Sequence, residues 1–295
     1  MRPRLEPLLG LLLGVAAVST ASTFIRLAQG DVPSLAVAAW RLMLASLMLA
    51  PVSLGRCRVE WAPLTRREWG WLAISGVFLA IHFYTWIESL ALTSVAASVV
   101  LVSLTPLFVA VVSRVFLKET LTRRTVGGIA LAIVGSACIA LGDRHASVHR
   151  LAGDGLALVG AAAIAGHMLI GRRLRARLSL LGYIFPVYGV AAVVLMLCAL
   201  ATGTPLTGYP SPAWLWLLLI ALIPQVIGHS SFNWALGHLP AAYVSLATLA
   251  EPVGATLLAW LILREAPTWA AVGGGALILI GLGLASWQSR TEESK

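Results

Sequence analysis

A few polar side chains stand inside long apolar runs, and their types define the chemistry on offer. Arg41, within VAAWRLML, is a fixed cation with five donors. It suits contact with an anion or carboxylate, or packing against the backbone carbonyls of a neighbouring helix. Glu251 directly precedes Pro252 in ATLAEPVGATLLAW. Proline removes a backbone donor and frees the carbonyl four residues earlier, so this carboxyl stands where a helix can bend. Such a group binds a proton or a substrate ammonium, or sits protonated against a neighbouring helix. An Arg41–Glu251 ion pair is a further arrangement open to both. Gln225, His229 and Asn233 recur every four residues, which places them on one helix face, with Pro224 offering a kink. His82 falls one residue from equivalence with His229 in the repeat described below. A polar stripe in hydrocarbon faces a water-filled cavity or another helix. Tyr84 and Trp86, with Trp234, are able to wall that space or to anchor and pack helices. Pro106, Pro224 and Pro252 are the hinge candidates, and His167 reads as a packing histidine.

Other chemistries are poorly supplied. Cys57, Cys138 and Cys198 are scattered singly, without metal-ligand spacing, and read as small apolar residues. His145 and His149 are four apart near Asp143, but in a polar, arginine-containing segment, and no metal site is expected there. No Gly-x-x-x-x-Gly-Lys-Ser/Thr loop is present, so nucleotide hydrolysis is not the expected driving force, and no cofactor is expected. The net charge of +9 is divided among short loops between apolar runs, which argues against nucleic acid as a partner. The alternative of an intramembrane lipid-modifying enzyme would have to draw on Glu68, Asp143 and Asp154 with the loop histidines, which form no cluster in the sequence.

The elements that position the polar residues are long helices. A chain with 59% hydrophobic and 11% charged residues is far from a soluble domain, where about a quarter would be charged. About ten apolar runs, placed near 7–28, 33–54, 69–90, 94–116, 123–142, 153–173, 178–201, 213–236, 240–263 and 267–288, are each long enough to cross a bilayer as a helix. The lipid bilayer is thus the first partner implied. MRPR followed by an apolar run and Ser19-Thr20-Ala21 has the outline of a secretory signal, but cleavage there would leave nine spans. Lys and Arg set the orientation: with the first residue inside, fifteen of 21 fall in cytoplasmic segments and four outside, so both termini are expected in the cytoplasm.

The runs also repeat. A shift of 146 residues carries Pro106 onto Pro252, Leu117 onto Leu263, Glu119 onto Glu265 and Gly127-Gly128 onto Gly273-Gly274. Ten of the thirty ungapped positions from Pro106 to Gly135 are identical, with Pro, Glu and Gly carrying the register. Five spans per unit is odd, so the second unit enters the membrane inverted. LKETLTRR, with three basic residues, belongs inside, and its counterpart LREAPTWA, with only Arg264, outside. GDRHASVHRLAGD links the units. Inverted repeats put a substrate path near the midplane between them. The expected fold is all-α and polytopic, with ten transmembrane helices as two inverted five-helix repeats at 7–142 and 153–288.

These stretches resemble the EamA family of the drug/metabolite transporter superfamily. TSVAASVVLVSLTPLFVAVVSRVFLKE with VGGIALAIVGSACIAL, and YVSLATLAEPVGATLLAWLILRE with VGGGALILIGLGLA, carry the resemblance, and AVAAWRLMLASLMLAP is similar to the family's arginine-bearing second helix. The resemblance spans about residues 8 to 288. It implies two inverted units around a central cavity and movement, commonly outward, of a small-molecule substrate such as an amino acid, with drugs, cations and sugars as other cargoes of the same fold. Location in the cell's inner (plasma) membrane follows, with protons as a coupling partner through Glu251.

Overall fold

The computed structural model describes residues 5–117, 123–142, 149–239 and 241–286, and every regular element among them is helical. Hydrocarbon offers backbone groups no water, so each apolar run satisfies its N–H and C=O groups within itself. The first half contains α1 (Leu5–Val18), α2 (Ala21–Ala28), α3 (Ser34–Arg56), α4 (Arg58–Trp61), α5 (Arg66–Leu92), α6 (Val95–Val102), α7 (Thr105–Leu117) and α8 (Arg123–Gly142). The second contains α9 (Arg150–Leu174), α10 (Leu180–Ala201), α11 (Ser211–Ile220), α12 (Ser230–Ala235), α13 (Ala241–Ala247), α14 (Glu251–Leu258) and α15 (Trp269–Ser286). A π-helical segment, Ala221–His229, joins α11 to α12, a 3-10 turn, Thr248–Ala250, joins α13 to α14, and a second π segment, Ala259–Leu263, follows α14.

Helix covers each of the apolar runs. Seven continuous stretches are long and apolar enough to cross a membrane, and Val126–Gly135, Thr248–Leu263 and Trp269–Gly281 are shorter apolar helices. Local chemistry sets the starts. Thr65 and Glu68 form a capping box at α5, while Ser94 and Ser179 accept from Ala97 N and Gly182 N to cap α6 and α10.

The repeat is visible in these starts. Shifted by 146, Ser34 of α3 lands on Leu180 of α10, Val95 of α6 on Ala241 of α13, Thr105 of α7 on Glu251 of α14, and Arg123 of α8 on Trp269 of α15. The breaks coincide too. Ser103-Leu104, between α6 and α7, shifts onto Leu249-Ala250 within the 3-10 turn. Pro106 and Pro252, read in the sequence as bends within a span, sit in the first turns of α7 and α14. A missing N–H costs nothing there, so the helix restarts instead of kinking.

The halves interlock: α5 lies along α9, and two equivalent pairs, α3 with α10 and α8 with α15, lie along each other. Small residues permit the last crossing, since a Cβ on Gly135 would come within 2.6 Å of the Gly274 carbonyl oxygen on α15. The inner faces bury Ala36, Ala39, Leu79, Ile87, Tyr183 and Tyr188, while Leu12, Leu197 and Leu200 point outward as a lipid-facing surface would require.

Candidate functional site

Arg41 anchors the centre. Ala38 and Ala45, one turn to either side on α3, leave room for its side chain, which is fully buried. Nε donates to Gln225 Oε1 at 2.7 Å, and the guanidinium carbon lies 4.0 Å above the Phe83 ring and 5.8 Å from that of Trp86. A charge-assisted hydrogen bond and an aromatic face therefore carry much of the cation's solvation. Its two Nη nitrogens have no protein hydrogen-bond acceptor. Arg41 and Glu251 do not approach as an ion pair; the guanidinium turns to Gln225 instead.

Beside this centre lies a polar cavity of about 40 Å³, walled by both halves of the chain. The first half supplies His82 and Trp86 from α5 and Ser103 and Thr105 from the α6–α7 break. The second supplies His167 from α9, His229 and Asn233 from the π segment and α12, and Thr248 and Glu251 from the 3-10 turn and the start of α14. At roughly 10–15 Å³ per water centre, the space holds about three waters.

His82 and His167 are each oriented by a neighbour. His82 Nδ1 is 2.9 Å from the Gly160 carbonyl. A carbonyl only accepts, so Nδ1 carries the proton. The ring stacks on Trp86 at 5.9 Å with 10° between planes, and lies 6.3 Å from His229. His167 Nδ1 is 3.0 Å from Ser75 Oγ, which in turn is 2.8 Å from the Tyr183 hydroxyl.

Side-chain clasps close both ends of the helix assembly. At one end Arg26 reaches Glu265 at 3.6 Å and donates to the Thr93 carbonyl, while Glu265 Oε1 accepts from Val95 N at 2.7 Å. This draws α2, the α5–α6 turn and the segment before α15 together. At the other end Arg172 donates to the Leu236 carbonyl, Arg175 to the Asn233 and Leu178 carbonyls, and Arg177 pairs with Glu68. Burial pulls the Arg175 guanidinium below its ordinary pKa, against the opposing pull of Tyr183 and Glu60.

The structure divides the candidate residues. It brings His82, Trp86, His229, Asn233 and Glu251 to one cavity, and adds His167, expected only to pack. Gln225 leaves the stripe expected from four-residue spacing. It lies in the π segment with Pro224, whose wider i to i+5 turn rotates it toward Arg41. Tyr84 is 38% exposed, outside the cavity wall. Trp234 also lies elsewhere, over α1, where a Cβ on Gly10 would be 2.7 Å from its ring, and beside His238. Glu119, Asp143 and His145 fall outside the described residues. Phe83, Ser103 and Thr248 were not singled out. Phe83 adjoins His82, and the two hydroxyls lie three or four residues before Pro106 and Pro252, which is the signal that marks them. Among the described residues no group of three or more His, Cys, Asp or Glu side chains is placed to hold a metal.

This chain is similar to known proteins. An uncharacterised transporter of Archaeoglobus fulgidus is 26% identical over 281 residues, covering 92% of this chain and 95% of that protein. A probable terminal-alkyne amino-acid exporter of Streptantibioticus cattleyicolor is 28% identical over 183 residues, 62% of this chain and 61% of its own. The pseudopaline exporter of Pseudomonas aeruginosa is 25% identical over 277 residues, 92% and 93% of the two chains. A solved crystal structure matches in fold, with TM-score 0.73 at 21% identity over 99% of this chain and 100% of that one. The model of the EamA-like transporter family matches twice, at residues 6–141 and 151–287, each match taking in one repeat, and the chain therefore belongs to that family.

Proposed function

We propose that this multi-pass membrane transporter exports small amino-acid-like metabolites by alternating access. Two oppositely oriented five-helix units, 7–142 and 153–288, rock about the polar cavity in this reading. All ten apolar runs cross the membrane, the three shorter helices included, with both termini in the cytoplasm of an inner-membrane protein. The end clasped by Arg26 and Glu265 is then the outer end, and the Arg172–Arg177 end the inner one. Two relatives are named as exporters, and the name of one, a probable terminal-alkyne amino-acid exporter, supports a zwitterionic cargo.

The observation that carries this reading is the cavity itself. It is small, lined by several polar side chains, and built from both repeats at two coincident helix breaks. Glu251 is the acid in its wall and the candidate site for a substrate ammonium or a coupling proton. Arg41, beneath the wall, holds Gln225 and the π segment that presents His229 and Asn233.

The test is counterflow of amino acids in proteoliposomes, with wild type beside Glu251→Gln. Exchange in both proteins, with pH-gradient-driven uptake in wild type only, is the expected result. Undiminished pH-driven uptake in a folded Glu251→Gln protein would remove Glu251 from proton coupling. Saturable exchange of a drug, cation or sugar in place of amino acids would replace the cargo, and lipid conversion without exchange would replace the function.

A further inference from the structure

The polar cavity is not the larger of the two spaces in the helix assembly. Between α6, α14 and α15 lies another, of about 360 Å³, with walls formed by such side chains as Val100, Val253, Leu257, Trp260 and Ile278. The two spaces share a partition, and the partition is made of the two helix breaks. Ser103, at the end of α6, borders both. In the second break successive residues alternate across the wall: Thr248 and Glu251 border the polar cavity, Leu249 and Pro252 the apolar space.

Such a wall is easy to deform. At the first break the backbone relies on short-range turns, Leu104 N to Leu101 O at 3.1 Å and Leu107 N to Leu104 O at 2.9 Å. Separation of the two breaks therefore shifts four short helices without melting a long one. The far side of the apolar space reaches the lipid-facing surface, where Val253 is 61% and Trp260 53% exposed.

A polar chamber joined through a deformable partition to an apolar groove fits a molecule with a charged head and a hydrocarbon tail. We propose that the apolar groove receives the tail of an amphipathic amino acid whose ammonium and carboxylate occupy the polar cavity, the tail passing between the breaks at Ser103 and Leu249. This rests on the transport reading above and adds a second subsite to it. The shared wall, with Ser103 bordering both spaces, is what commits the groove to the substrate's own tail, since a bilayer acyl chain seated there would be indifferent to what fills the head site.

The experiment is inhibition of alanine counterflow by alanine, norvaline, norleucine and 2-aminooctanoate in proteoliposomes. Each buried methylene improves inhibition about fourfold in wild type. Gly275→Leu fills the groove, since Gly275 lines it and a Cβ there meets no atom within 4 Å. It should flatten the dependence on chain length, each inhibitor being compared with alanine in the same variant. An unaltered dependence in this variant, or none in wild type, overturns the proposal and leaves the transport reading in place.

A second measurement uses wild type alone. A 2-aminooctanoate carrying a diazirine near its tail end should label the Val253–Trp260 and Ala271–Leu279 segments, and excess alanine should displace the label. Label that alanine does not displace marks simple lipid partition and overturns the tail subsite. Displaceable label without any amino-acid exchange would uphold the subsite and overturn transport.

Discussion

The two halves of the molecule start their helices in one register but carry different charge. Arg41 of the first half falls on Val187 of the second, and Glu251 of the second on Thr105 of the first. Thr105 and Glu251 both border the cavity, but Thr105 settles its hydroxyl locally, on the Val102 carbonyl at 2.8 Å. Val187 is an ordinary buried aliphatic residue, whereas Arg41 needs Gln225, Phe83 and Trp86 around it. Duplication has kept the geometry of the breaks and divided the chemistry, one cation from one half and one acid from the other. The mechanical parts of such a protein are symmetric, and its electrostatics are not.

The hardest test of that division is to move the acid. The exchange Thr105→Glu with Glu251→Thr should lower pH-driven uptake at least about tenfold, the consequence of a loss near 1.4 kcal/mol at the coupling step. Wild-type uptake by the exchanged protein would show that either half serves equally well, and would break the comparison. Next comes the cation. Arg41→Leu leaves Gln225 Oε1 without its donor and should cost about 1.5–3 kcal/mol of stability, read as a lower unfolding temperature in detergent. Val187→Ile, at the equivalent place, should change it far less.

Within one helix, α8, glycines sharpen the point. Gly135→Ala drives a Cβ into the backbone of α15 and should destabilise by about 1–3 kcal/mol. Gly127→Ala meets open space and should be neutral or stabilising by about 0.5–1 kcal/mol. Parallel thermal unfolding curves decide. The smallest effect is expected from Thr105→Val, where one locally satisfied hydroxyl is lost at about 1 kcal/mol or less, with exchange retained.

Much of this was legible in the residues. Helix positions followed from apolar run length, and the repeat from Pro, Glu and Gly held in register, because those types answer to backbone demands and not to hydrophobicity alone. Tyr84, offered by the sequence as a wall beside Trp86, lies outside it, because residues two apart face nearly opposite sides of a helix. The turn of Gln225 toward Arg41 was not legible, since a π segment has no sequence period distinct enough to replace the four-residue spacing. Nor were the breaks themselves, because Ser and Thr are tolerated inside helices and only the prolines nearby hint at an interruption. Arg41's partner lies 184 residues away in the chain, a distance over which local pattern says nothing.

The segment Thr248–Leu263 combines a carboxyl, a proline, a 3-10 turn and a π turn in a stretch shorter than a comfortable membrane span. During synthesis such a segment is a poor client for the insertion machinery on its own, since an acid at mid-helix adds several kcal/mol to partitioning. Its insertion must lean on helices already placed, α6 and α2 among them. The element that carries Glu251 is thereby secured only once its neighbours are in place.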